Sequence, residues 1–318
     1  VDCYWWRPWV PAARGHRLRR PNLLSAPLVD LSPIDGAPEP GGSHETDLFH
    51  ALGPGGIDAG GIASVRYVGR CTKTGRDLSL GPTATAMAEA LRLHSLLDAC
   101  SEATSGFSSA HLRHPAAGKM FGILVVTDPA GRQGTLRAFS GEWDSSWVAP
   151  AGWVPSPGHL QEYAAARRDT EDRVAEFTRQ IQELKERPTS KPIRRQIEAM
   201  KIERRRWSRE LTDKIHAAYR FDNALGEILP LTEVQTGSPR PPTGMGDCCA
   251  PKLLQAAIRS GLTPQGMVEF WWGSPSAMFP RQEGGYYGSC EQKCYPILGF
   301  LLRGIEAAQV ETEQVTTT

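Results

Sequence analysis

Four cysteines fall in two close pairs late in the chain: Cys248 and Cys249 in GDCCAPKLL, and Cys290 and Cys294 in SCEQKCYPILGFLL. Thiolates are soft ligands that select zinc and related ions, and three of them on one ion leave a fourth coordination position open. The spacing of Cys290 and Cys294 puts both on one face of a helical turn. A helix start also favours the deprotonated thiol. Cys248 or Cys249, at the start of the preceding helix, is placed to add a third ligand across one strand. The same thiols also fit two other roles, buried core packing and a redox pair. Two acids lie close by in sequence, Asp247 immediately before the first pair and Glu269 inside the apolar run GMVEFWWG. Either could move a proton beside a metal-activated water; Glu269, an acid in an aromatic strand, equally fits a structural partner of Lys252 or an arginine.

The elements that must position these residues are short. Pro251 suits the first turn of a helix, and KLLQAAIRSG extends it to a stop at Gly261. GMVEFWWG reads as a strand, and CEQKCYPILGFLLRGI as a final helix that tolerates Pro296 only near its start. Upstream, ATAMAEALRLHSLLDACSEA predicts a helix over 84–103, with Cys100 on its apolar stripe. Phe121 to Val126 and Thr135 to Phe139, joined by Asp128-Pro129-Ala130-Gly131, predict a β-hairpin. Trp143, Trp147 and Trp153 follow and are available to cover a sheet face. YRFDNALGEILPLTEV reads as two short strands around an Asn-Ala-Leu-Gly turn.

Between these parts the character changes. From about 158 to 220 the chain is rich in charge and, after Gly158, lacks glycine, and its apolar residues step by three and four on either side of RPTSKP. That is the pattern of a long antiparallel helical hairpin, coiled-coil-like and inserted into the core. Its second arm carries Arg194, Arg195, Lys201, Arg204, Arg205 and Arg206. Such a cluster is a solvated helix face, a contact for the RNA backbone, or part of an arm for dimerisation in a protein-interaction scaffold. The resulting organisation is a loop-rich segment (1–83), a first part of the core (84–157), the hairpin (158–220), a second part of the core (221–308) and a disordered tail (309–318).

With a net charge of +1, 40% hydrophobic and 22% charged residues, the chain has a globular profile, neither disordered nor strongly polyionic. No run approaches the roughly 20 apolar residues of a membrane span, and the clustered cysteines do not resemble a secreted disulfide framework. Cytoplasm is the expected location.

Two resemblances follow from these motifs. CCAPKLL and SCEQKC resemble the helix-start ligands of the zinc nucleobase deaminases, with the β-hairpin in the place of that fold's opening strands. The glutamate that should follow the first ligand is absent, with Pro251 close to its place, and the second motif is one residue longer. The order GKMFGILVV, AFSG, charged hairpin, GDCCAPKLLQAA, EFWWG and YYGSCEQKCYPILGFLLRG, over roughly 85–308, resembles the N-terminal region of long-form RluA-type RNA pseudouridine synthases. That resemblance implies structured RNA (ribosomal or transfer) as partner and a separate catalytic domain, since the family's catalytic aspartate loop has no counterpart here. In GHRLRRPN, Arg19 stands where that aspartate would be. The expected fold is α+β or α/β, a small mixed sheet flanked by helices in deaminase-like order. A bound zinc ion is the expected cofactor, with Cys248, Cys290 and Cys294 as ligands and Cys249 as an alternative. Asp247 or Glu269 would be catalytic if the chain is a deaminase.

Overall fold

A computed structural model describes residues 50–51, 65–100, 107–144, 146–157, 160–237, 240–275 and 281–305. The string at 15–22 and the tail at 309–318 lie outside them. The described residues divide into two compact units, residues 161–214 and all the rest. The fold is α+β.

The larger unit opens with β1 (His50–Ala51), β2 (Tyr67–Arg70), β3 (Asp77–Leu80) and α1 (Ala84–Ala99), followed by β4 (Lys119–Thr127) and β5 (Gln133–Phe139). The region expected to be loop up to residue 83 therefore holds an antiparallel ribbon, with Tyr67 opposite Leu80 and Arg70 opposite Asp77. Both strands are only four residues long, too short for alternation to stand out in the sequence. Thr83 caps α1 through its hydroxyl, which accepts the Ala86 N–H at 3.2 Å. The helix ends before Cys100, which is half-buried rather than a core thiol.

β4 and β5 form the expected hairpin. The Asp128 carboxylate closes its turn by accepting the N–H groups of Ala130 (2.9 Å) and Arg132 (2.8 Å). After the helical insertion the chain makes a second small ribbon, β6 (Arg220–Asp222) with β7 (Ile228–Pro230). It continues through α4 (Leu231–Val234), α5 (Cys249–Arg259), β8 (Thr263–Trp272) and α6 (Tyr295–Leu301).

The main sheet has the order β1-β5-β4-β8, and each neighbouring pair is antiparallel. A mixed sheet was the expectation; the described strands correct it, because β4 lies between β5 and β8 and runs against both. Met120 to Val126 of β4 are buried almost without a break because both faces are covered. Alternation sorts the side chains. Met120, Leu124, Val126, Met267 and Trp271 face the cluster built on α5. Phe121, Ile123, Val125, Phe270 and Trp272 face α1. Trp143 and Trp153 stack on Phe107 in that second cluster, whereas Trp147 packs against the first.

The smaller unit is the helical hairpin, formed by α2 (Leu160–Glu186) and α3 (Lys191–Ala218). Ser190 starts α3, its carbonyl accepting the Arg194 N–H at 3.0 Å. Val174, Ile181 and Leu184 form a buried seam on α2. The arms are tied antiparallel by Arg204, which donates to the Thr178 hydroxyl at 3.3 Å, and by the Arg173 guanidinium 4.6 Å over the Trp207 ring.

Candidate metal centre and the residues around it

The thiols of Cys248, Cys290 and Cys294 come together, with their Sγ atoms all within 4.8 Å of one another. Three chain features produce this. Cys248 is the N-cap of α5. Cys290 and Cys294 close one tight turn, the Cys290 carbonyl accepting the N–H groups of Cys294 (3.2 Å) and Tyr295 (3.0 Å). α6 itself begins at Tyr295, so this pair sits on the turn before the helix rather than inside it, as the sequence suggested. The stretch leading to Cys290 is sewn to β2: the Val68 N–H donates to the Ser289 hydroxyl at 3.0 Å, and the Ser289 N–H donates to the Arg66 carbonyl at 3.2 Å.

Cys249 is not part of the cluster. It is fully buried on the sheet, with its S–H donating to the Met120 carbonyl at 3.3 Å. Gly122 makes room for it, since a Cβ there would stand 2.7 Å from the Cys249 Cβ. The alternative of Cys249 as a ligand is thereby corrected: successive residues at a helix start point about 100° apart, and only one of them can face the turn.

Hydrogen bonds from Cys248 and Cys294 pull the Cys290 thiol well below its usual range. The contact with Cys290 pushes the Cys248 thiol up, and the contacts with Cys248 and then Cys290 push Cys294 up. The donor set fits zinc: three soft ligands, close enough for Zn–S bonds of about 2.3 Å after small adjustments.

Glu269 reaches the start of α5 from β8. It is almost wholly buried, opposite Gly122 in the sheet, and its Oε1 accepts the Ala250 N–H at 2.8 Å. Cys248 offers no side-chain cap, so the Glu269 carboxylate satisfies an N–H at the start of α5 that the N-cap residue does not. Burial, followed by the negative charge on Cys290, pushes its pKa up to about 8, against the pull of the Ala250 N–H and of Arg281. Among the described residues, neither Lys252 nor an arginine is its hydrogen-bond partner. Lys252, also buried, donates instead to the carbonyls of Phe139 (3.0 Å) and Gly141 (2.8 Å).

Asp247 takes a different part. Its Oδ1 accepts from the hydroxyls of Ser156, at 2.8 Å, and Tyr219, which ties the start of α5 to two distant segments. Sequence reasoning missed Tyr67. Its buried hydroxyl accepts the Glu269 N–H and donates to the Tyr287 carbonyl at 3.1 Å, filling a gap along the edge of β8.

The six α3 cations expected to contact RNA divide. Arg204 is half-buried across the hairpin, and Arg206 is paired with Glu203 at 2.9 Å and more loosely with Glu210. Lys201 is paired with Glu198 at 2.6 Å. Arg194, Arg195 and Arg205 are exposed, and no ion pair holds them among the described residues. No helix among those residues is long and apolar enough to cross a membrane. No family model, curated protein or solved structure matches the chain.

Proposed function

We propose that the chain is a zinc-stabilised, RNA-binding module of RNA-modification machinery. It acts in the cytoplasm on structured ribosomal or transfer RNA, beside a separate pseudouridine synthase catalytic domain. The carrying observation is the line of cations on α3. Arg194, Lys201 and Arg205 are spaced by seven and four residues, which places them within about 20° of one line along a helix. Over roughly 16 Å they offer repeated contacts to a phosphate backbone. Arg194 and Arg205 are exposed, and neither is in an ion pair with a described acid. The resemblance to the pseudouridine-synthase N-terminal region supports RNA over other polyanions. Cys248, Cys290 and Cys294 would hold the zinc ion, its part being to fasten the start of α5 to the turn before α6. The test is RNA affinity against salt. Reversing both Arg194 and Arg205 to Glu should weaken binding at least tenfold and flatten the slope of log K against log salt by roughly one to two units. Unchanged affinity and slope would remove the hairpin from RNA binding.

One observation favours a second reading, a zinc-dependent cytosine or adenine deaminase. In a Cys-x-Glu helix start the acid would stand at position 250, where this chain has Ala250. Glu269 delivers a carboxylate to the Ala250 N–H from the neighbouring strand. Zinc on three thiolates supplies Lewis-acid activation of water, and Glu269 would be the group that takes and returns the proton. The Glu269→Gln variant should then lose deamination of cytidine or adenosine while keeping its metal. A zinc-loaded wild type inactive on both substrates rejects this reading.

A further inference from the structure

We infer that the cleft beyond the end of β8 is a phosphate-binding site for a nucleotide, with Arg281 as the anchor. The cleft has a volume of about 490 Å³ and is lined by Arg113, Ser274, Arg281, Gln282 and Glu283 among others, and not by the cysteines. That volume is in the range of small-molecule sites, about 300–1,000 Å³. Most of its polar groups are already engaged. Arg113 is paired with Glu283 and Asp98 and lies 5.5 Å over the Trp272 ring. The Ser274 hydroxyl donates to the Arg113 carbonyl at 2.8 Å.

Arg281 differs from its neighbours. It is half-buried, and no carboxylate pairs with it among the described residues. Its guanidinium is held 4.9 Å over Tyr287 and 5.7 Å over Trp271. Tyr287 is fixed in turn, its hydroxyl accepting the Gln282 N–H at 2.8 Å. A guanidinium stacked on rings keeps its in-plane N–H donors free, in the fork that fits two oxygens of a phosphate. Glu283, the one acid among the described lining residues, is paired with Arg113, which leaves Arg281 as the lining cation with no carboxylate in ion-pair contact among those residues. The exposed Gln282 side chain stands at the same rim, with an amide able to donate and accept toward a base or sugar.

The experiment is a titration of the full chain, read by the fluorescence of Trp271 and Trp272. The probes are uridine 5′-monophosphate, inorganic phosphate and uridine. Both phosphates should shift the signal, with uridine weaker by at least about tenfold. Arg281→Gln should weaken the monophosphate about tenfold or more, and Arg281→Lys, which keeps the charge but not the fork, by less. Equal binding of uridine and its monophosphate would overturn the inference, as would unchanged affinity in Arg281→Gln or no response at millimolar phosphate. Displacement of the monophosphate by a short single-stranded RNA assigns the site to a polynucleotide, and its absence assigns the site to a free nucleotide. The site is independent of the hairpin. The Arg194→Glu, Arg205→Glu protein should keep its affinity for the monophosphate, so failure of the RNA reading and failure of this one are distinguishable.

Discussion

The Glu269 carboxylate, nineteen residues along the chain from Ala250, accepts the Ala250 N–H at 2.8 Å and so acts as the missing cap of α5. Glu269→Gln keeps an oxygen for that N–H, so its folding and metal content should match the wild type. Glu269→Ala removes the acceptor and should cost on the order of 1–2 kcal/mol, measured by urea unfolding. An equal loss in both variants would mean that the charge, not the cap, matters for stability.

Metal content should separate the adjacent cysteines. Cys248→Ser, Cys290→Ser and Cys294→Ser should each purify with much less than the single zinc equivalent expected of the wild type. Each should also melt lower, because the cluster joins the start of α5 to the turn before α6. Cys249→Ala should keep the metal and lose about 1 kcal/mol of core packing. Chelator treatment of the wild type should reproduce the melting shift of the three serine variants, with elemental analysis as the check.

Asp247 should behave as a structural acid. Its removal in Asp247→Ala leaves the hydroxyls of Ser156 and Tyr219 without their acceptor, at a cost of about 1–3 kcal/mol. Asp247→Asn retains an oxygen and should lose less. Zinc content should be unaltered in both, and a drop would place Asp247 in the metal site after all.

His94 should make the fold sensitive to mild acid. It lies against Phe270 (ring centroids 4.0 Å apart) and Trp272 (5.1 Å), and burial lowers its pKa from 6.5, with Asp98 and Glu283 opposing. The unfolded chain then binds the proton more readily than the folded one. The contribution is complete above pH 6.5 and is lost as pH falls through the folded value. His111, depressed by burial beside Trp143, acts in the same direction. Glu269, raised to about 8, acts in the opposite sense over the same range, so the histidine contribution is read by difference: as pH falls from 7.5 to 5, His94→Phe should lose less urea midpoint, or gain more, than the wild type. An unchanged slope in His94→Phe would assign the acid sensitivity elsewhere.

Much of the local structure was legible. The apolar run at 121–126 with its Asp-Pro-Ala-Gly turn, and the three-and-four spacing through 174–211, are strong local patterns. They appear as β4–β5 and as the α2–α3 hairpin. The ribbon β2–β3 escaped notice because its strands are short and its hydrogen-bonded partner, Ser289, is 221 residues from Val68. The division of the α3 cations also escaped: Arg204 and Arg205 are neighbours in sequence, yet one faces Thr178 and the other faces outward.

The sequence by itself determined which residue types could carry chemistry and the elements that hold them. Two cysteine pairs, an acid in an aromatic strand and a cation-rich helix are all local facts. Only the tertiary structure decided how those groups are shared out. Cys248 faces the turn and Cys249 the sheet because Gly122 leaves space on one side of α5 alone. Glu269 caps a helix and Asp247 anchors two hydroxyls because strand register and chain crossing bring those partners within reach. Local spacing fixes the direction of a side chain relative to its own backbone; what it meets there is set by segments as much as 221 residues away.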